Sequence, residues 1–549
     1  MVALLVIACG VGAPTDALEH QRLADLERAG NFNQVIALAN VLLQQNPRDA
    51  TAWIYRGQAR GCLGDWKGQV EDETAALAIE PRADAYVYRG VARGRLGDLK
   101  GAVEDEDAAL ALDPNSSKAY VSRGWARGLL GDWKGEVDDT SAALALDPTD
   151  SIAYSNRGTA RGKLSDLAGE IQDEEAAIKI NPRNVNAHIN LGLAVGRTGD
   201  WNKALAEENA ALAIAPRNVD AWIDRGHARG ELGDWTGEVA DQNTALSLQP
   251  RAFIAYEDRG FARGRLGDWQ GQIDDETAAL AIDPSASVAY MNRGWARGHL
   301  RDWKDAIDDS NAALSLNPKD VNAYQNRGWA RASLGDFNGE FEDAKSAVAF
   351  DPKNAVSVAT LGEAEYLLGR YEDAISDEDA SLQLKPNLVF ALQVRGAARY
   401  YSGDPADAIT DETAVIAGVP HDAFGLRIRG AAYAELGRPL ESVADETASL
   451  AVDRANPDNF FAYEILGNVK ASAGDATGAT AAYTAALAIK PCDGVVGGKL
   501  ANLQPQVAQG ASSCPTLSPD PAQSSQTPQL DQPLPLNAGL PAPASSPAP

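Results

Sequence analysis

Four cysteines, five histidines and two methionines are few soft or imidazole donors for 549 residues. The histidines (His20, His188, His227, His299, His421) stand far apart, and neither HExxH nor CxxC occurs. The spacing that announces a metal site is therefore missing, and we expect no metal and no cofactor. GxxxxGK[ST] and GxGxxG are missing too. The glycines and Lys134 of "RGLLGDWKGE" thus have no phosphate-cradling fingerprint around them, and Lys134 falls within a helical stretch. No apolar run reaches the roughly 18 residues that cross a bilayer. Basic residues are in deficit, 49 Lys and Arg against 77 Asp and Glu, for a net charge of −28. Such a surface repels nucleic acid and anionic lipid, and suits either solubility of a large exposed area or a basic partner.

What the chain has instead is a period. The glycine of an "RG"-type pair falls at Gly57, Gly90, Gly124, Gly158, Gly192, Gly226, Gly260, Gly294, Gly328, Gly362, Gly396, Gly430 and Gly467, in steps of 33, then ten of 34, then 37. Proline follows 24 residues later in nearly every copy, as at Pro114, Pro148 and Pro182. With a degenerate first copy, "LERAGNFNQVIALANVLLQQNP", this makes about 14 units over residues 16–492. Each unit reads as two helices. One runs from an aromatic such as Tyr120 to about Leu130, and "GD" breaks it, with Asp132 placed as an N-cap. The other runs from Trp133 to about Leu146, where "DP" ends it.

This pattern resembles the tetratricopeptide repeat family: a period of 34 with Tyr120, Gly124, Ala143 and Pro148 at positions 4, 8, 27 and 32 of the unit Ser117–Asp150. The resemblance implies an all-α fold, a right-handed α-solenoid (superhelix) of tandem helix-turn-helix units, with first helices lining a concave groove.

The chain departs from that family in one systematic way. Where aromatic side chains usually fill the space between the helices, position 11 is mostly arginine (Arg60, Arg93, Arg127, Arg161), and so is position 7 (Arg56, Arg89, Arg123, Arg157). The two share one helix face. The second helix answers with carboxylates at position 23 (Asp72, Asp139), position 20 (Glu136, Glu170) and position 24 (Glu73, Glu106). In the unit from Val185 both arginines vanish together, replaced by Leu191 and Val195, and position 20 becomes Ala204. We expect an internal polar ladder, with Arg123, Arg127, Glu136 and Asp139 as one rung, against the alternative that the arginines reach the groove and bind an acidic ligand. Paired carboxylates that recur in every unit behave as scaffolding, so no catalytic residues and no enzyme activity are expected.

For binding, the resemblance places positions 2, 5, 6, 9 and 13 of the first helix in the groove. Position 6 carries Asn156, Asn190, Asp224, Asp258, Asn292 and Asn326, a row that can hold the backbone of an extended peptide or be mere family composition. Position 9 carries Trp125, His227, Phe261, Trp295 and Trp329, as anchors for a partner or as packing between units. The expected function is a protein–protein interaction scaffold or adaptor that binds an extended peptide or partner surface.

The ends differ from the array. In residues 1–15, "VIAC" resembles the lipobox of bacterial lipoproteins, with Cys9 as the lipidated residue, although a basic n-region is missing. This gives a first alternative, an envelope lipoprotein adaptor that organises envelope enzymes from the bacterial envelope or periplasm, touching membrane only through its lipid. A second is a regulatory or substrate-binding arm of a separately encoded enzyme; the alternative location to the envelope is the cytoplasm. Residues 493–514 read as a cap or linker in which Cys492 and Cys514 could pair. Residues 515–549, with ten prolines and almost no charge, read as a disordered tail.

Overall fold

The computed structural model describes residues 13–452, 457 and 459–503. Two compact units divide the chain, residues 1–262 and residues 263–549. In each, α-helices follow one another in antiparallel pairs; no strand occurs among the described residues, and none of their helices is long and apolar enough to cross a membrane. Within each unit, consecutive helices pack on one another, as α7 does on α8 and α8 on α9, and first helices of successive repeats also touch, as α7 and α9 do. This is the all-α, tetratricopeptide-type arrangement that the repeat implies.

The pair α7 (Ser117–Leu129) and α8 (Trp133–Leu146) shows how the sequence builds it. Ser116 caps α7 by accepting from the Ala119 amide at 3.3 Å, so the helix starts three residues before Tyr120. Gly131, at φ +85°, makes the left-handed turn that a side chain resists. Asp132 then caps α8, accepting from the Gly135 amide at 2.9 Å. The helix stops at Asp147, before Pro148. Ala119, Ala126 and Ala143 are completely buried, and their small size lets the two helices approach closely.

Apolar burial is uneven along the chain. Leu23, Val35, Leu42 and Leu43 make one cluster in residues 1–262. A larger one in residues 263–549 gathers Tyr366, Phe390, Val394, Tyr400 and Ile428. Between these the apolar clusters are small, three or four buried residues each, such as Ala143, Leu144 and Ala153. In those repeats something besides apolar area must fix the helix pair. At the far end α29 (Gly494–Leu503) covers the last repeat, with Val496 packed beside Phe460 and Tyr483.

Cys62 is an exposed free thiol, and Cys492 is disulfide-bonded. Cys9, Cys514, residues 1–12 and the tail 515–549 lie outside the described residues.

Candidate functional site

The polar ladder is built on aspartate. Arg123 donates from Nε and Nη2 to both carboxylate oxygens of Asp139, at 3.0 and 2.6 Å, while Arg127 reaches the same group at 2.8 Å. The third nitrogen of Arg123 donates to Asp107 of the preceding repeat at 2.6 Å. One rung thus ties two helices and two repeats. The same fork joins Arg56 to Asp72, Arg89 to Asp105, Arg157 to Asp173 and Arg225 to Asp241 in residues 1–262. In residues 263–549 it joins Arg293 to Asp309, Arg327 to Asp343 and Arg395 to Asp411. The Asp139 side chain is only 4% exposed, so the charge pair is largely withdrawn from water. The position-4 ring adds a face for the guanidinium, as Tyr120 does for Arg123 at 5.5 Å and Trp222 for Arg225 at 4.4 Å.

Glu136 stands outside this rung, a correction to the expected four-residue set. It forms no ion pair with Arg127. Its carboxyl lies against Gly128 in space that a Cβ would fill, and burial pushes its pKa up to about 8. Position 24 behaves alike: Glu73 and Glu106 are fully buried, each against the position-8 glycine of its own repeat, Gly57 and Gly90. Burial, assisted by neighbouring carboxylates, raises both to about 9, so they are neutral acids. The glycines at positions 8 and 12 therefore make room for carboxyls. The glycine at position 19 makes room for arginine, since Gly135 lies against Arg127 Cδ and the capping Asp132.

Two repeats inside the array replace the rung, as the last repeat does with Leu466, Lys470 and Ala482. After Val185, Leu191, Val195 and Ala204 form an apolar cluster with Ala228, and His188 Nδ1 meets the position-23 carboxylate of Glu207 at 2.7 Å. In the repeat of Gly362, Glu365 stands at position 11 and bonds Asp377; burial and Asp377 raise it to about 8.

The position-6 row is divided. Asn190 donates to Glu174 at 3.0 Å and Thr159 at 3.1 Å, and buried Asn326 donates to the Met291 carbonyl at 3.2 Å. Asn292 is buried and Asn156 half-buried. These amides sit largely inside the stack of helices, with little left to offer a peptide. Position 9 packs as well. Trp125 lies against Gly94 of the preceding repeat, and His227, Phe261 and Trp329 meet Trp201, Trp235 and Trp303 edge-on at 5.5, 5.9 and 5.1 Å. Trp295 is 5% exposed, beside His299 and Trp329; the expectation of a free anchor is corrected there, because its ring is consumed in the fold.

The side chains that face solvent on this helix face were not singled out from sequence. They are Leu129 (54% exposed), Ile152 (60%), Leu193 (46%) and Ile254 (43%), at positions 13, 2, 9 and 2. Steps of four, three and four residues put positions 2, 6, 9 and 13 on one stripe of a helix.

One group is assembled by the fold alone. His227, Glu238 and Asp258, from three helices, bring one donor atom each to within 4.8 Å of one another. Burial, with Asp258 and other carboxylates next, raises Glu238 to about 9; burial, then Glu257 and Asp224, raises Asp258 to about 8; burial pushes the His227 imidazole down.

No family model and no curated protein matches the chain. Among solved structures it is similar to the APC/C hetero-tetramer Cut9–Hcn1, at 13% identity over 88% of this chain and 95% of that one (TM-score 0.44). It is similar to a tetratricopeptide repeat protein of Parabacteroides merdae, at 17% identity over 45% and 97% (TM-score 0.37). It is also similar to yeast Tom70, at 15% identity over 77% and 96% (TM-score 0.35). These likenesses concern fold alone.

Proposed function

We propose that this tetratricopeptide-type helical array is an interaction scaffold that holds a protein or an extended peptide against its first helices. The observation that carries this reading is the row of exposed large apolar side chains at positions 2, 9 and 13: Leu129, Ile152, Leu193 and Ile254. Each stands on a helix face that the ladder does not use, since the ladder takes positions 7 and 11. Apolar side chains among polar neighbours, on rigid helices, are the usual makings of a recognition surface. The net charge of −28 favours a partner with basic residues around its apolar contact.

The test is Ile152→Glu combined with Leu193→Glu in the full chain. Both sites are exposed, so the fold should lose no more than about 0.5 kcal/mol per substitution. Capture of the native partner should fall at least about tenfold, which corresponds to roughly 1.4 kcal/mol. Capture equal to wild type, with the helical circular dichroism intact, would sink the reading.

A further inference from the structure

We infer that His227, Glu238 and Asp258 form a site for one divalent transition-metal ion of the zinc type. His227 lies on α13 (Val219–Glu231), Glu238 on α14 (Trp235–Leu248) and Asp258 on α15 (Phe253–Arg265). The first two belong to one repeat and the third to the next, so sequence spacing could not announce them.

The donor set is one imidazole nitrogen and two carboxylate oxygens, which suits zinc, manganese or iron(II) better than calcium or copper(I). Donors bound to one zinc at about 2.1 Å stand about 3.4 Å apart in a tetrahedral arrangement. The three atoms, all within 4.8 Å of one another, are thus within a side-chain torsion of closing on an ion. Three protein ligands leave a position for water or a partner's side chain, and His227 and Asp258 are only half-buried, which gives an entry path.

A second observation points to a missing ligand. Glu238 is 3% exposed, and its buried Oε2, set against Gly230 as the position-20 carboxyls are against their glycines, meets no hydrogen-bond donor; here alone among the described residues a histidine and a second carboxylate stand beside such a group. A buried carboxyl without a partner is costly, and a cation among these three groups supplies one. The surroundings already orient the ligands. Gln242 Nε2 donates to Asp258 Oδ2 at 3.2 Å and to the Ile223 carbonyl at 3.1 Å, leaving Oδ1 for another partner. The Trp201 ring meets the His227 ring edge-on at 5.5 Å and fixes its tilt.

The group occurs once. Position 9 is histidine in this repeat alone; it is Gln58, Val91, Trp125, Thr159 and Leu193 in the repeats before it. Ladder carboxylates recur with the period, as scaffolding does, whereas a set that breaks the period serves one place. An ion there would also pin two consecutive repeats together.

The test uses the full chain, purified without a histidine tag and stripped with chelator, then titrated with zinc chloride against a chromophoric zinc indicator. The wild type should take up about one equivalent, with a dissociation constant in the micromolar range or below. His227→Ala, Glu238→Gln and Asp258→Asn should each weaken uptake by about tenfold or more, and Gln242→Ala by roughly tenfold as a residue that orients a ligand. Exposed Asp308→Asn should change nothing. Zinc should raise the Tm of the wild type and leave that of His227→Ala unmoved. Cobalt(II) on the wild-type chain gives a readout that needs no folded variant: visible d–d bands of a site with nitrogen ligation. Zinc bound equally by wild type and His227→Ala, or cobalt that gives only the spectrum of the hydrated ion, overturns the site.

Discussion

At the scale of the residue, position 15 of the repeat is the most demanding point of the backbone. Gly64, Gly97, Gly131 and Gly233 occupy it with φ between +84° and +88°. Ser165 and Arg301 occupy it too, at +66° and +62°, and both carry a Cβ that this conformation disfavours. Arg301→Gly should therefore stabilise the chain by about 0.5–1 kcal/mol, the relief of strain exceeding the extra freedom that glycine gives the unfolded chain. Gly131→Ala should destabilise by about 1–2 kcal/mol. Urea denaturation of the two variants beside wild type measures both, and opposite signs are the expected outcome.

At the scale of the element, the rung replaces a core. Two arginines and one aspartate lie between the helices, so removing one arginine leaves the aspartate with half its partners. Arg123→Met should cost about 2–3 kcal/mol, because Asp139 loses both bonds of the fork and keeps Arg127 alone. The Val185 repeat shows which changes compensate. Tyr120→His, Arg123→Leu, Arg127→Val, Glu136→Ala and Asp139→Glu together transplant its set, and the five should destabilise less than Arg123→Met alone by equilibrium denaturation.

This is also the scale at which the sequence was most readable. The period, the helix bounds near Trp133 and Leu146, the Asp132 cap and the Arg–Asp ladder follow from spacing, because each depends on residues within one 34-residue copy. The role of Glu136 did not follow: whether a carboxyl pairs with arginine or hides against glycine depends on a gap of a few ångströms between helices. For Trp295 and Asn326 the sequence left binding and packing open, and their burial decides for packing for a related reason. A position that faces the groove in one repeat is covered by its neighbour in another. His227, Glu238 and Asp258 could not be joined by spacing at all, since two repeats contribute them.

At the scale of the whole molecule, the neutral acids at position 24 set the response to pH. Glu73 and Glu106 move from the ordinary 4.5 to about 9 on folding, with burial as the first cause. Burial likewise raises Glu378, Glu412 and Glu446 well above the carboxylate range. An acid that holds its proton more tightly when folded adds stability that is full below about 4.5. That stability is lost as pH rises, because the unfolded chain releases the proton first. The Tm should therefore fall from mild acid towards pH 9, through a window in which most acidic proteins change little. Glu73→Gln keeps the shape and removes the charge, so it should flatten the dependence of unfolding free energy on pH by about one proton between pH 5 and 9. An unchanged slope would show that Glu73 is ionised in the fold.

Each rung is complete in itself: both arginines and the aspartate they share come from the same 34 residues, and the one link to the preceding repeat accepts whatever polar group stands there. Asp107 serves Arg123, Ser141 serves Arg157, Asn209 serves Arg225. Excising residues 117–150 would bring Arg157 to Asp107 with no other substitution. The number of copies is thus free to grow or shrink by recombination between near-identical stretches, with every intermediate length already stitched. The apolar set after Val185, the Glu365–Asp377 pair and the histidine site are the places where a copy has become particular, and where its position in the row can no longer be exchanged.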